Sequence, residues 1–182
     1  MNLLLFICIT AALGWLSRHS LRDPRSHGFY RFMAWECLLL LFLHNRAFWF
    51  VERFAPHQLI SWCLLFASLA LVCCAGLLLR QHGAHDTTRH DPALLGFEKT
   101  AHLVSHGVYA HIRHPLYASL LLLVWGLYAK QPSWWPGLGL ALLASWALAQ
   151  AATVEENENV AYFGPAYHAY MQHTYRFIPG LW

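Results

Sequence analysis

A cationic cluster and a pair of acids are the residues in this chain best suited to chemistry. Arg113, His114 and Pro115 stand directly before an apolar run, and Glu155 and Glu156 follow the last long apolar run. Adjacent carboxylates at the end of a helix are disfavoured by their mutual repulsion and by the helix dipole. We therefore expect a positive group beside them, either Arg113 and His114 or a cationic ligand.

The composition places these residues in an integral membrane protein. Of the 182 residues, 58% are hydrophobic and 12% are charged, whereas roughly 25% are charged in soluble proteins. The net charge of +3 gives no reason to expect nucleic acid as a partner. The five cysteines lie inside apolar runs and predict neither a disulfide framework nor a zinc site.

The apolar runs predict about five transmembrane helices, because a spanning helix needs about 20 mostly apolar residues or fewer with flanking anchors. The first is expected to be a retained span and not a signal peptide, because Arg18 follows its apolar run. The second contains Glu36, His44 and Arg46, so these residues either serve a function inside the membrane or lie in a tilted or broken segment. The five predicted spans are residues 2–16, 32–51, 59–79, 116–129 and 134–154.

The positions of Lys and Arg predict the orientation of these spans, because such residues are enriched in cytoplasmic loops. On one predicted side lie Arg18, Arg22, Arg25, Arg31, Arg80, Arg89, Lys99, Arg113 and Arg176, and on the other only Arg46, Arg53 and Lys130. We therefore expect the N-terminus outside and both the loop at 80–115 and the C-terminus in the cytoplasm.

These features predict an all-α membrane protein with a single domain over residues 1–182, with three spans in 1–79 and a catalytic half in 80–182. The sequence KQPSWWPG predicts a turn that makes the last two spans a helical hairpin. An amphipathic helix is expected after the fifth span, broken near Gly164 and Pro165.

An ordered set of short motifs in the last 80 or so residues resembles the isoprenylcysteine carboxyl methyltransferase family. These integral membrane enzymes use S-adenosylmethionine and are related to phospholipid methyltransferases. The matching residues are Leu103-Val104, Gly107, Tyr109, Arg113-His114-Pro115, Tyr117, Glu155-Glu156, Phe163-Gly164, Tyr167, Tyr170 and Pro179.

The resemblance implies a site for S-adenosylmethionine between the cytoplasmic loop, the start of the fourth span and the end of the fifth. Glu155 would lie against the positive groups of the cofactor, and Arg113 would hold either the cofactor carboxylate or a substrate oxyanion. Glu156 is the candidate base for an amine acceptor. The other implied cofactor-binding residues are His102, Leu103, Val104, Gly107, Tyr109, His114, Pro115, Leu116 and Tyr117.

Two departures from the family pattern concern the substrate. The family's histidine before the Leu-Val pair is replaced by Ala101, with His102 displaced by one position, and its arginine one helical turn before the acids is replaced by Ala151. We therefore expect an apolar or amphiphilic membrane-borne acceptor with a carboxyl, thiol or amine group, and not necessarily an isoprenylcysteine. The cofactor would enter from the cytoplasm and the acceptor from the lipid.

Two further functions fit the same motifs. Sterol reductases resemble this family in their C-terminal half, which leaves an NADPH-dependent membrane reductase as an alternative, and a non-catalytic protein of the same fold is another. A dinucleotide calls for additional basic residues, whereas the acidic pair suits a sulfonium. His82, His85 and His90 could suggest a metal site, but no well-spaced fourth ligand accompanies them and we predict none.

Overall fold

The computed structural model describes residues 2–83 and 100–181, and most of these residues are helical. The described part of the chain contains no β-strand, only isolated bridges such as the parallel one between Ile112 and Tyr175. Short 3-10 turns and a π-helical turn, Trp134–Leu138, connect the longer helices. The α-helices are α1 (Asn2–Leu16), α2 (His27–Asn45), α3 (Pro56–His82), α4 (Pro115–Tyr128), α5 (Gly139–Phe163) and α6 (Pro165–His173).

Two of these helices are long and apolar enough to cross a membrane. They are Pro56–His82, with 27 residues, and Trp135–Phe163, with 29 residues, which joins the π-helical turn to α5. The apolar stretches Leu3–Leu16 and Pro115–Tyr128 are shorter. The helical fold is thus confirmed, and two of the five predicted spans correspond to helices with the length and composition needed to cross a membrane. The other three spans stay predictions.

Helix α2 corrects the prediction for the second span. Its start is set by Ser26, whose side chain accepts a hydrogen bond from the Phe29 N–H at 3.3 Å, and it ends at Asn45. Because residues 46–51 form a 3-10 helix and turns, α2 does not extend to the end of the predicted span 32–51, and it begins before that span does. Arg46 therefore lies beyond the helix, whereas Glu36 stays inside it and accepts a hydrogen bond from Thr10 Oγ1 at 2.8 Å.

Two helix pairs make up most of the bundle: α2 packs against α5, and α3 packs against α4. The α2–α5 contact is close because small side chains line it, with Ala34 buried together with Ala147, Ala151 and Ala152. The α3–α4 contact is tied by hydrogen bonds from buried serines to backbone carbonyls, such as Ser68 Oγ to Ser119 O at 2.7 Å. Buried polar groups satisfied in this way hold the helices in register.

Proline and glycine set the remaining boundaries near the places that the sequence predicts. Pro115 is the first residue of α4, where its missing N–H and fixed φ suit a helix start. Gly164 adopts a φ of +59° and separates α5 from α6, so the predicted break is confirmed. Helix α5 itself continues through Phe163, well beyond the predicted end of the fifth span at residue 154.

Candidate functional site

One cavity lies where the segment before α4 meets the last two turns of α5 and helix α6. Its empty volume, including the open mouth, is about 660 Å³. Polar, aromatic and aliphatic side chains all contribute to its wall. The lining residues are Leu79, Thr100, Leu103, Val104, Tyr109, Arg113, His114, Pro115, Leu116, Tyr117, Glu155, Asn159, Phe163, Tyr167 and Tyr170.

Gly107 fixes the loop before α4 against α3. It has a φ of +61°, a conformation that favours glycine, and a Cβ built there would lie 2.7 Å from Leu78 Cδ1. The backbone conformation therefore favours glycine, and a larger residue would also have to displace the end of the Leu78 side chain. The loop is also tied to the end of α3 by a hydrogen bond from the His102 N–H to the Gly83 carbonyl oxygen at 3.1 Å.

The C-terminal segment pairs with this loop through backbone hydrogen bonds. The Arg113 N–H donates to Tyr175 O at 2.7 Å, the His114 N–H donates to Arg176 O at 3.1 Å, and the Tyr175 N–H donates to His111 O at 2.9 Å. Residues 111–114 are thereby held between the tail and the rest of the bundle. The tail thus positions the two cationic residues that precede α4.

Glu156 is held by two arginines and does not line the cavity. Arg113 Nε donates to Glu156 Oε1 at 2.7 Å, and Arg176 Nη2 forms an ion pair with Glu156 Oε2. Arg113 Nη1 also donates to the backbone carbonyl oxygens of Met171 and Thr174. The expected positive partner of the acidic pair is therefore confirmed in Arg113, and Arg176 is a second one.

Glu155 points in another direction from its neighbour and lines the cavity. Its Oε1 lies 4.0 Å from His114 Nδ1, while His114 Nε2 lies 3.4 Å from Glu156 Oε1. The His114 ring stacks against Tyr117, with ring centroids 5.6 Å apart. The imidazole therefore separates the two carboxylates, one of which is committed to arginines while the other faces the cavity.

Helices α5 and α6 supply an aromatic wall opposite the loop. Tyr167 is buried and stacks on Phe163, and Tyr170 Oη donates a hydrogen bond to the Tyr109 carbonyl oxygen at 2.7 Å. Burial, followed by the Glu155 carboxylate, raises the pKa of Tyr167, and burial likewise raises the pKa of Tyr170. Both hydroxyls therefore stay neutral hydrogen-bond donors at physiological pH.

The cavity brings together most of the residues that the resemblance implies, and it leaves out three of them. Those that line it are Leu103, Val104, Tyr109, Arg113, His114, Pro115, Leu116, Tyr117 and Glu155. The three that do not line it are Gly107, whose positive φ shapes the loop, Glu156, which is held by arginines, and His102, which is exposed to solvent.

Several lining residues were not predicted as site residues, although the sequence contains patterns that could have identified some of them. Glu155, Asn159 and Phe163 follow one another at intervals of four and so share a face of α5. Tyr167 and Tyr170 belong to the quoted tail motif, but without a role assigned to them. Leu79 and Thr100 gave no such signal, nor did Arg176, because their contribution depends on tertiary contacts between distant segments.

A comparison with protein-family models matches residues 62–166 to the phospholipid methyltransferase family. The chain belongs to this family. The match starts inside α3, includes the loop, α4 and α5, and ends at the second residue of α6. No curated protein and no solved structure gives a significant match to the chain.

The family assignment confirms the resemblance found in the sequence, because phospholipid methyltransferases are related to the isoprenylcysteine carboxyl methyltransferases. It indicates a membrane methyltransferase. Among the described residues no group of three or more His, Cys, Asp or Glu side chains could hold a metal ion. Of the three loop histidines considered for a metal, His85 and His90 lie outside the described residues.

Proposed function

We propose that this protein transfers a methyl group from S-adenosylmethionine to an amphiphilic acceptor that reaches the site from the membrane. The observation that carries the proposal is the cavity itself, where Glu155, Arg113 and an aromatic wall converge at one end of an apolar helix bundle. Family membership supports methyl transfer, and the cavity supports the class of donor.

The lining of the cavity fits the chemical groups of this donor. The Glu155 side chain is 22% exposed, which leaves a carboxylate to favour the sulfonium and amino groups. Tyr109, Phe163 and Tyr170 provide apolar surface and hydroxyl groups for the adenosine, next to Leu103 and Val104. When bound, the cofactor supplies an electrophilic methyl group that a nucleophile attacks in line with the departing sulfur.

Arg113 both holds the C-terminal tail in place and lines the cavity. Its Nε and Nη1 are committed to Glu156 and to carbonyl oxygens of the tail. Within residues 2–83 and 100–181, its Nη2 makes no hydrogen bond, and the residue lines the cavity. The Nη2 group is therefore available to a carboxylate of the cofactor or to an oxyanion of the acceptor.

The surroundings of Glu156 bear on the identity of the acceptor. Both of its oxygens accept hydrogen bonds from arginines, and its side chain is 5% exposed. A carboxylate engaged in this way is poorly suited to take a proton from an amine. The arrangement favours Glu156 as a positioning residue and a carboxylate or thiolate as the methyl acceptor, because neither of these needs a general base.

The distribution of cations supports the proposed orientation in the membrane. Arg18, Arg22 and Arg25 are exposed in the α1–α2 connection, which precedes the end of α2 that lies beside the cavity. Arg46 and Arg53 lie at the opposite end of the bundle, in the α2–α3 connection. By the preference of basic residues for the cytoplasmic side, the cavity would open there. A reporter that is active only in the cytoplasm should then be active when it is fused to the C-terminus, and a reporter that is active only outside the cytoplasm should be inactive there.

Cofactor binding tests the proposal most directly. The detergent-purified protein should gain thermal stability from S-adenosylmethionine or its demethylated product and not from NADPH, because binding to the folded state raises the melting temperature. Glu155→Gln should remove this gain, whereas Glu52→Gln, at an exposed acid at the opposite end, should leave it unchanged. Stabilisation by NADPH would instead support a reductase, and no response to either would support a non-catalytic protein.

Labelled methyl transfer identifies the acceptor. The protein is incubated with methyl-labelled cofactor and a total lipid and small-molecule extract of the native cell, and the labelled product is isolated. A base-labile methyl ester would indicate a carboxylate acceptor and a thioether would indicate a thiolate. A methylated amine would contradict the preference argued from Glu156.

A further inference from the structure

Helix α2 places two basic side chains opposite the acidic end of α5. His27, the first residue of α2, is fully buried, and its Nδ1 lies 2.5 Å from Glu158 Oε2. Arg31 follows one helical turn later and is 4% exposed. Residues four apart lie on the same face of a helix, so both face α5 together.

The register between the two helices brings this basic face to the cavity carboxylate. His27 contacts Glu158, while further along α2 the side chain of Ala34 packs with Ala151 and Ala152, so the two helices run antiparallel. Arg31 lies between these contacts, level with the turn of α5 that carries Glu155. Electrostatic interactions of Glu155 with both His27 and Arg31 agree with this register.

Basic residues of two elements act on Glu155. His114, in the loop before α4, has its Nδ1 4.0 Å from Glu155 Oε1, and the charges of His27 and Arg31 on α2 interact electrostatically with the same carboxylate. The cavity lies on the remaining side of the carboxylate. Helix α2 lies outside residues 62–166, which match the family, so this support comes from a part of the chain that the family model does not cover.

We propose that His27 and Arg31 are positioning residues, which keep the Glu155 carboxylate directed at the cofactor cavity. This inference rests on the proposed function. A purely structural role for the same residues, as a polar contact between α2 and α5, would affect folding alone. The two roles differ in what they do to cofactor affinity at constant stability.

Calorimetric titration of the detergent-purified protein with S-adenosylmethionine and with S-adenosylhomocysteine tests the inference. Arg31→Gln should weaken binding about tenfold, the loss expected when one charge-assisted interaction at the site is removed. Arg31→Lys, which keeps the charge, should recover part of that loss. Arg25→Gln serves as the control, because Arg25 is an exposed arginine shortly before α2.

Glu158→Gln is the second variant, for use if Arg31→Gln does not fold. The Glu158 side chain is 30% exposed, so its replacement by the amide disturbs the packing of α5 little and removes the charged partner of His27. The variant should weaken binding in the same direction as Arg31→Gln. Melting curves recorded without ligand establish that each variant is folded before its affinity is compared.

The outcomes separate the inference from the proposed function. If the wild-type protein does not bind either ligand, the proposed function fails and the inference fails with it. If the wild type binds and folded Arg31→Gln and Glu158→Gln bind equally well, only the inference is overturned. A greater loss for S-adenosylmethionine than for the demethylated product would support an action through Glu155 on the sulfonium charge.

Discussion

The two ends of the helix bundle each bury charged side chains, and they satisfy those charges differently. At the cavity end, Glu156 is paired with Arg113 and Arg176. At the opposite end, Lys130 is fully buried without a carboxylate partner among the described residues. Its Nζ lies 3.6 Å from the ring centroid of Trp62 and 3.1 Å from Gln58 Oε1.

The two ends differ in whether a charged side chain faces a cavity. Next to Lys130, the Gln58 side chain closes contacts within the protein, since its Nε2 donates to the carbonyl oxygens of Phe48 and Lys130 itself. Lys130 and Gln58 therefore hold together the α2–α3 connection, the start of α3 and the residues after α4. At the cavity end, the Glu155 carboxylate pairs with neither of the arginines that hold Glu156, and it lines the cavity. A carboxylate at an open cavity suits a cationic ligand.

Removal of the Glu156 carboxylate should have the largest effect on stability. Glu156→Ala leaves two buried guanidinium groups without their partner, which costs about 3–5 kcal/mol for a broken buried pair. Thermal unfolding in detergent measures the loss, and Glu52→Ala at the opposite end is the control. A change as small as the control's would mean that the tail and the loop are held together by their backbone hydrogen bonds alone.

Gly107→Ala should come next, because it strains the loop at the cavity end. The positive φ and the overlap with Leu78 together should cost about 1–3 kcal/mol, and the displaced loop should also bind cofactor more weakly. Gly14→Ala is a matched control, since a Cβ at Gly14 meets no atom within 4 Å. Equal melting temperatures for both variants would contradict the close approach of the loop to α3.

Lys130→Met tests the opposite end and should have a smaller effect. The loss of the cation–π contacts, worth about 2 kcal/mol when desolvated, is partly offset because a buried ammonium no longer has to be desolvated. Burial lowers the pKa of Lys130, which agrees with that cost. We expect a decrease of about 1 kcal/mol in unfolding free energy, with cofactor affinity unchanged. A weaker affinity would show that the two ends are coupled.

The sequence predicts the helices of this fold better than it predicts their ends. Hydropathy and the position of Pro115 place α1, α3 and α4 closely, because apolar runs and prolines are local signals. The predicted second span extends beyond Asn45 because the aromatic residues that follow are apolar enough for a membrane helix, but they lie in a 3-10 helix and turns. Its true start depends on Ser26, a capping residue whose effect hydropathy does not register.

The candidate site shows the same contrast: residues in local motifs could be predicted, and partners that depend on tertiary contacts could not. The motif residues Arg113, His114 and Glu155 were predicted as a group, and the structure brings them to one cavity. The partners that hold them, Arg176 and His27, come from segments far apart in the chain. No spacing rule relates such segments, so the contacts appear only after the tail pairs with the loop and α2 packs on α5.

The smallest expected effect is a pH dependence at the cavity end that the opposite end lacks. Burial alone would lower the pKa of His27, but the Glu158 hydrogen bond and the Glu155 carboxylate outweigh burial and the nearby Arg31, so the pKa is raised above 6.5. A group with a raised folded pKa stabilises the protein fully below its unfolded pKa and loses that contribution as the pH rises through the folded value. The melting temperature should therefore fall above pH 6.5 in the wild type by more than in His27→Gln. Lys130→Met should keep the wild-type pH dependence in this range, because the histidine–glutamate pairs of the described residues lie at the cavity end. Parallel profiles for wild type and His27→Gln would show that the pKa of His27 is the same in the folded and the unfolded protein.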